Sequence, residues 1–147
     1  MTKNKFKIDA YVAVFLKDNN KILFLKRTKN GWGYGNYTLP GGSVDANESI
    51  RMAAIREIKE EVGVDIKEKD LKFLHVTNIK IKEKEEPLLG FYFLVDNFFG
   101  EPKNIEPDKC EYITWLDADN LPENIVKELK VVLEKISKNE FYSEIGW

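Results

Sequence analysis

A chain of 147 residues with a net charge of −2 is sized for one domain with a real core, and it carries no broadly basic surface for stable nucleic-acid binding. No apolar run approaches the roughly 18 residues needed to cross a membrane, and the N-terminal MTKNKFKIDA lacks a signal-peptide core. Cys110 is the sole cysteine, which excludes an intramolecular disulfide or a zinc cluster; with the many lysines it fits a reducing cytoplasm.

Residues 8–17 (IDAYVAVFLK) and 21–27 (KILFLKR) read as two strands joined by a turn at Asp18-Asn19-Asn20. Residues 30–36 (NGWGYGN) form a glycine-rich loop, and Tyr37 to Leu39 is a short strand. Leu39-Pro40-Gly41-Gly42 ends that stretch in a turn which favours glycine and lets backbone approach a ligand. Asp45, Asn47 and Ser49 are helix-starting residues, with Glu48 complementing the positive helix end. Ile50, Ala53, Ala54 and Ile58 give the helix an apolar side, and Gly63 follows Val62 as a residue that ends it. The spacing therefore predicts a helix from Asn47 or Ser49 to about Val62.

Further strands are expected at about 71–81 and 88–98, with a charged hairpin tip from Lys82 to Pro87 between them. A late strand spans Tyr112 to Leu116, and an amphipathic helix covers about 122–138 with Pro122 near its start. Strands mixed with two long helices predict an α/β fold, a mixed sheet sandwiched between helices. His75, the only histidine, lies in an apolar strand pattern and reads as structural. The aromatic tail from Phe141 to Trp147 predicts burial of Phe141 and Trp147 against the body or a second subunit.

The most informative stretch is REIKEE, Arg56 to Glu61. Glu57, Glu60 and Glu61 stand at i, i+3 and i+4 and are neighbours on one helix face. Three like charges there repel unless a cation lies between them. Such helices are often only solvated faces; as ligands, oxygens of this kind suit a hard divalent ion, Mg²⁺ first and Mn²⁺ second.

The surrounding segment resembles the Nudix family signature: G, five residues, E, seven residues, R-E, an aliphatic, any, E-E, any, G, an aliphatic. Gly42, Glu48, Arg56, Glu57, Ile58, Glu60, Glu61, Gly63 and Val64 fill every specified position. The resemblance implies the Nudix α/β/α sandwich as a single domain over 1–147. It also implies hydrolysis of a nucleoside diphosphate linked to another group, by water activated at a Mg²⁺ ion. By the same resemblance Glu57, Glu60 and Glu61 are the metal-binding and water-activating carboxylates. Glu57 is the preferred base, with Arg56 orienting it, and Glu61 and Glu60 are the preferred ligands. The backbone carbonyl of Gly41 is a further ligand, and Glu48 supports the fold.

Beyond the signature, the run from Gly100 to Glu111 followed by Trp115 looks like the MutT-type branch, in which an acidic residue of this loop faces the metal. Glu106 is the matching position, against the reading of a solvated loop acid. Asn124 lies where MutT-type enzymes set an asparagine against the nucleobase, with helix capping as the competing role. Lys26 and Arg27 are candidates for substrate phosphates, Arg27 by a bidentate contact, and Trp32 for a base or lid contact. The expectation is a Mg²⁺-dependent, MutT-like hydrolase acting on a small nucleotide as a monomer or homodimer. It converts a nucleoside triphosphate, including oxidised or noncanonical ones, to the monophosphate and pyrophosphate. ADP-ribose, a nucleotide sugar, a dinucleoside polyphosphate or capped RNA is the alternative substrate, and a non-catalytic Nudix-fold module is the second alternative.

Overall fold

The computed structural model describes residues 3, 5–29 and 31–147, so Asn30 of the expected glycine-rich loop lies outside the described residues. The chain opens with a hairpin of β1 (Asp9–Asp18) and β2 (Lys21–Arg27). Two short strands follow, β3 (Tyr37–Thr38) and β4 (Gly41–Ser43), then helix α1 (Ile50–Val62). Next come β5 (Lys72–Ile79), β6 (Leu88–Val95) and β7 (Cys110–Asp117). Helix α2 (Lys127–Ser137) and β8 (Tyr142–Ile145) complete the chain.

The strands join in the order β3-β2-β1-β6-β5-β8, with β4 added on β1 and β7 on β2. β1 runs parallel to β6 and β5 to β8, while the other pairs are antiparallel, so the sheet is mixed. Alternation along the strands feeds two separate cores. Val12, Val14, Leu16, Leu23 and Leu25 meet Ala53, Ala54, Ile58 and Val62 of α1. Ala13, Phe15, Ile22 and Phe24 meet Leu129 and Val132 of α2 on the other face. This is the expected sandwich, with one helix on each side of the sheet. Among the described residues no helix is long and apolar enough to cross a membrane.

Three expectations are corrected. Helix α2 begins at Lys127 rather than near Pro122, because Ile125 is drawn into a parallel bridge with Tyr37 and the residues before it form no helical turn. Against the body of this chain the side chains of Phe141 and Trp147 are not buried: they are 66% and 63% exposed. The tail adds to β5 as β8 instead, and its inward residue is the polar Ser143. Ser143 is admitted because its hydroxyl lies 2.8 Å from both His75 Nε2 and Thr77 Oγ1. His75 Nδ1 lies 2.8 Å from the Glu140 carbonyl and donates to it, while Nε2 lies 2.8 Å from the Ser143 hydroxyl, which itself donates to Thr77 Oγ1. His75 is thus a buried structural residue, as its apolar setting suggests.

Gly41 and Gly42 form strand β4 rather than a turn, and neither has positive φ. Glycine is needed there for close approach. A Cβ on Gly41 would collide with the Val12 carbonyl, and one on Gly42 would lie 2.5 Å from the Glu57 carboxyl carbon.

Candidate active site

Helix α1 is set by its ends. Ser49 Oγ accepts from the Met52 amide at 3.1 Å, and Gly63, at φ 76°, returns its N–H to the Ile58 and Lys59 carbonyls. Burial of Ala53, Ala54, Ile58 and Val62 then turns the Arg56–Glu61 face toward β4. The glycine pair lets that face approach closely: Gly41 N–H donates to Glu61 Oε2 at 3.2 Å, and the Glu57 carboxylate occupies the space above Gly42.

Arg56 organises the carboxylates. It donates through Nε (3.0 Å) and Nη2 (2.6 Å) to Glu48, a two-point grip, and through Nη2 to the Ser43 carbonyl at 3.0 Å. Its Nη1 reaches Glu57 at 2.9 Å and Glu60 at 3.2 Å. Glu48 therefore holds the arginine that holds Glu57. The Arg56 guanidinium, with the Asp45 N–H, keeps the Glu48 carboxyl down at about 2. This clamp is more specific than the fold-supporting role read from sequence, and the only signal for it was the presence of Glu48 and Arg56 in one motif.

The loop after β6 delivers the fourth carboxylate. Lys103 and Ile105 donate their N–H groups to the Val62 and Glu61 carbonyls at the C-terminal end of α1. A single turn, with Lys109 and Cys110 N–H on the Glu106 carbonyl, then sets the Glu106 side chain beside the helix. The charge of Glu106 is felt by both Glu57 and Glu61. Burial raises the Glu57 carboxyl; Arg56 opposes this, and Glu60 and Glu106 add to it. Burial likewise lifts Glu61 to about 8, against the Gly41 amide and with the charges of Glu57 and Glu106 adding.

Carboxylates destabilised by burial and by one another suit a hard divalent cation, so the residues present fit the metal the signature implies. Among the described residues no three His, Cys, Asp or Glu side chains already form a ready ion site. Arg56 engages Glu57 and Glu60, while Lys109 engages Glu106 at 3.1 Å.

The candidate substrate residues divide. Arg27 approaches the acidic cluster: its charge lowers Glu61, and its Nε donates to the Trp32 carbonyl at 3.2 Å. Lys26 points elsewhere, with Nζ 4.6 Å from the centre of the Tyr37 ring. Trp32 is 59% exposed, and Arg27 stands 5.9 Å from its ring centre. Asn124 does not cap α2, whose N-cap is Val126. Its Nδ2 donates to the Gly35 carbonyl at 3.1 Å and its own carbonyl accepts from Tyr37 N–H at 2.8 Å, so it ties the glycine-rich loop to the approach to α2. Trp32, Arg27 and Asn124 thus share one loop system, and Arg27 links it to the carboxylates.

Comparison with known proteins bears on the fold and the family of the chain. The family model described as NUDIX domain matches residues 7–136. An ADP-ribose pyrophosphatase from Methanocaldococcus jannaschii is 31% identical over 134 residues, covering 90% of this chain and 76% of that protein. An 8-oxo-dGTP diphosphatase from Escherichia coli is 25% identical over 129 residues, covering 84% and 97%. The crystal structure of a MutT NUDIX hydrolase from Burkholderia pseudomallei superposes with a TM-score of 0.78 at 30% identity, covering 87% of this chain and 97% of that one.

Proposed function

Because the chain belongs to the Nudix hydrolase family, we propose that it is a Mg²⁺-dependent, MutT-like enzyme that cleaves nucleoside triphosphates, oxidised or noncanonical ones included, to the monophosphate and pyrophosphate. The observation that carries this reading is the convergence of Glu57, Glu61 and Glu106, whose mutual repulsion and burial a divalent ion relieves. A bound Mg²⁺ supplies neutralisation of the phosphates and a lowered pKa for an attacking water. Mn²⁺ substitutes for it, being another hard divalent ion.

Glu61 and Glu60 would hold the ion, with Glu106 and the Gly41 carbonyl completing its protein ligands, and Glu57, beside them on the same helix face, would share it. Glu57 accepts the proton of the water, and Arg56, gripped by Glu48, fixes the Glu57 carboxylate for that transfer. Arg27 meets the phosphate chain with its planar fork. Trp32 stacks on or closes over the base, and the Asn124 amide offers a donor and an acceptor to its edge. Lys26 contributes only if it leaves Tyr37.

Similarity over nearly the whole length of the Escherichia coli 8-oxo-dGTP diphosphatase supports the triphosphate as substrate. The Methanocaldococcus jannaschii relative supports ADP-ribose as a second reading with the same carboxylates. A substrate panel separates them: 8-oxo-dGTP, the four unmodified dNTPs, ADP-ribose and nucleotide sugars, each with Mg²⁺ and products resolved by chromatography. Pyrophosphate release with the highest kcat/KM on a triphosphate supports the first reading. AMP and ribose phosphate as dominant products from ADP-ribose would replace it with the second.

A further inference from the structure

The cations around the acidic cluster differ in what holds them. Arg56 is gripped at two points by Glu48 and by the Ser43 carbonyl, so it stays in place whatever Glu57 and Glu60 do. Lys59 is turned to Asp65 at 3.0 Å. Lys109 is held differently. The carboxylate it bonds is Glu106, at 3.1 Å, and its side chain is 69% exposed against 29% for Glu106. The turn that bonds Lys109 and Cys110 N–H to the Glu106 carbonyl brings the two side chains out together. The charges of Glu61 and Glu57 also act on Lys109, beside that of Glu106.

We infer that Lys109 is a placeholder cation: it neutralises Glu106 in the metal-free protein and, when Glu106 turns to the metal, moves onto the phosphate chain of the nucleotide. The inference rests on the proposed role of Glu106 as a metal-facing carboxylate. Charge is conserved in the exchange, because the divalent ion takes over the carboxylate and the incoming phosphates take over the ammonium. A lysine suits such an exchange, since its charge rides on a flexible four-carbon stem and needs no fixed planar geometry. Lys109 therefore competes with the metal and cooperates with the nucleotide, and its removal should move the two affinities in opposite directions.

The test uses the full chain with Lys109→Ala and Lys109→Arg. Lys59→Ala, whose partner is Asp65, controls for bare loss of a positive charge. Mn²⁺ binding without nucleotide is read by the spin-resonance signal of free Mn²⁺, and binding of a non-hydrolysable α,β-methylene triphosphate is read calorimetrically with Mg²⁺. Lys109→Ala should tighten Mn²⁺ about two- to fivefold, as befits an exposed ion pair, and weaken the triphosphate about tenfold. Lys109→Arg should bind the triphosphate within about threefold of the parent. Lys59→Ala should change Mn²⁺ affinity less than Lys109→Ala does. Unchanged or weaker Mn²⁺ binding by Lys109→Ala, or an unchanged triphosphate affinity, overturns the inference while leaving the hydrolase reading intact. A parent that binds no Mn²⁺ overturns both. A parent that binds Mn²⁺ but hydrolyses nothing removes only the hydrolase reading.

Discussion

Glu61→Gln separates what the site costs the fold from what it does for chemistry. The Glu61 carboxyl is half-buried and lifted from 4.5 to about 8, chiefly by desolvation. A folded pKa above the unfolded one contributes stability that is complete below about 4.5 and lost as pH rises through about 8. At about 1.4 kcal/mol per unit the full span is on the order of 5 kcal/mol, and solvent screening of a half-buried group reduces it to about 2 kcal/mol. Glutamine removes the charge and keeps an oxygen for the Gly41 N–H. In EDTA at pH 8 the variant should therefore be more stable than the parent by about 2 kcal/mol in urea denaturation, with the gap closing toward pH 5. A divalent ion at a hundred times its dissociation constant should add ~2.7 kcal/mol to the parent and far less to the variant. Hydrolysis by the variant should fall by at least about a hundredfold. A variant less stable than the parent in EDTA at pH 8, or one that keeps the parent's response to metal, would refute this reasoning.

Glu48→Gln weakens the two-point grip on Arg56 and should lower kcat about ten- to a hundredfold with KM nearly unchanged, since the residue acts through Glu57 rather than on substrate; a change confined to KM would contradict it. Gly42→Ala places a Cβ 2.5 Å from the Glu57 carboxyl carbon, and a flexible side-chain end can yield. That variant should fold with a loss of less than about 1.5 kcal/mol yet lose most turnover, as followed by denaturation and steady-state kinetics together. Ser143→Ala leaves His75 Nε2 and Thr77 Oγ1 without their hydroxyl partner in a buried site, and should cost about 1–3 kcal/mol in urea denaturation without altering kcat. A neutral effect on stability would show that β8 is not fastened through that bond.

The sequence made the acidic helix and its ends legible because local rules decide them: the apolar spacing of Ala53, Ala54, Ile58 and Val62, the Ser49 cap and the Gly63 stop. Strands β1, β2, β5 and β6 were equally legible from their runs of apolar and aromatic residues. What escaped depended on partners distant in the chain. Pro122 reads as a helix start until Tyr37 claims Ile125 and keeps the segment out of the helix. The aromatic tail reads as a plug, whereas its anchor is Ser143, polar and buried only because His75 and Thr77 wait for it across the sheet. Gly41 and Gly42 read as a turn because glycine marks both turns and close approaches, and only the Val12 carbonyl and Glu57 distinguish the two. At the site, the motif fixed which residues line α1, but not that Glu48 would grip Arg56 or that Lys109 would close on Glu106.

On the proposed reading these carboxylates take up a divalent ion to hydrolyse a nucleotide. The most direct test of that reading is pyrophosphate release from 8-oxo-dGTP and dGTP across a Mg²⁺ titration, with EDTA and Glu57→Gln as controls. Saturable Mg²⁺ activation in the parent, abolished by EDTA and reduced at least about a hundredfold in Glu57→Gln, is the predicted result. Turnover that survives EDTA, or a Glu57→Gln variant as active as the parent, would contradict it.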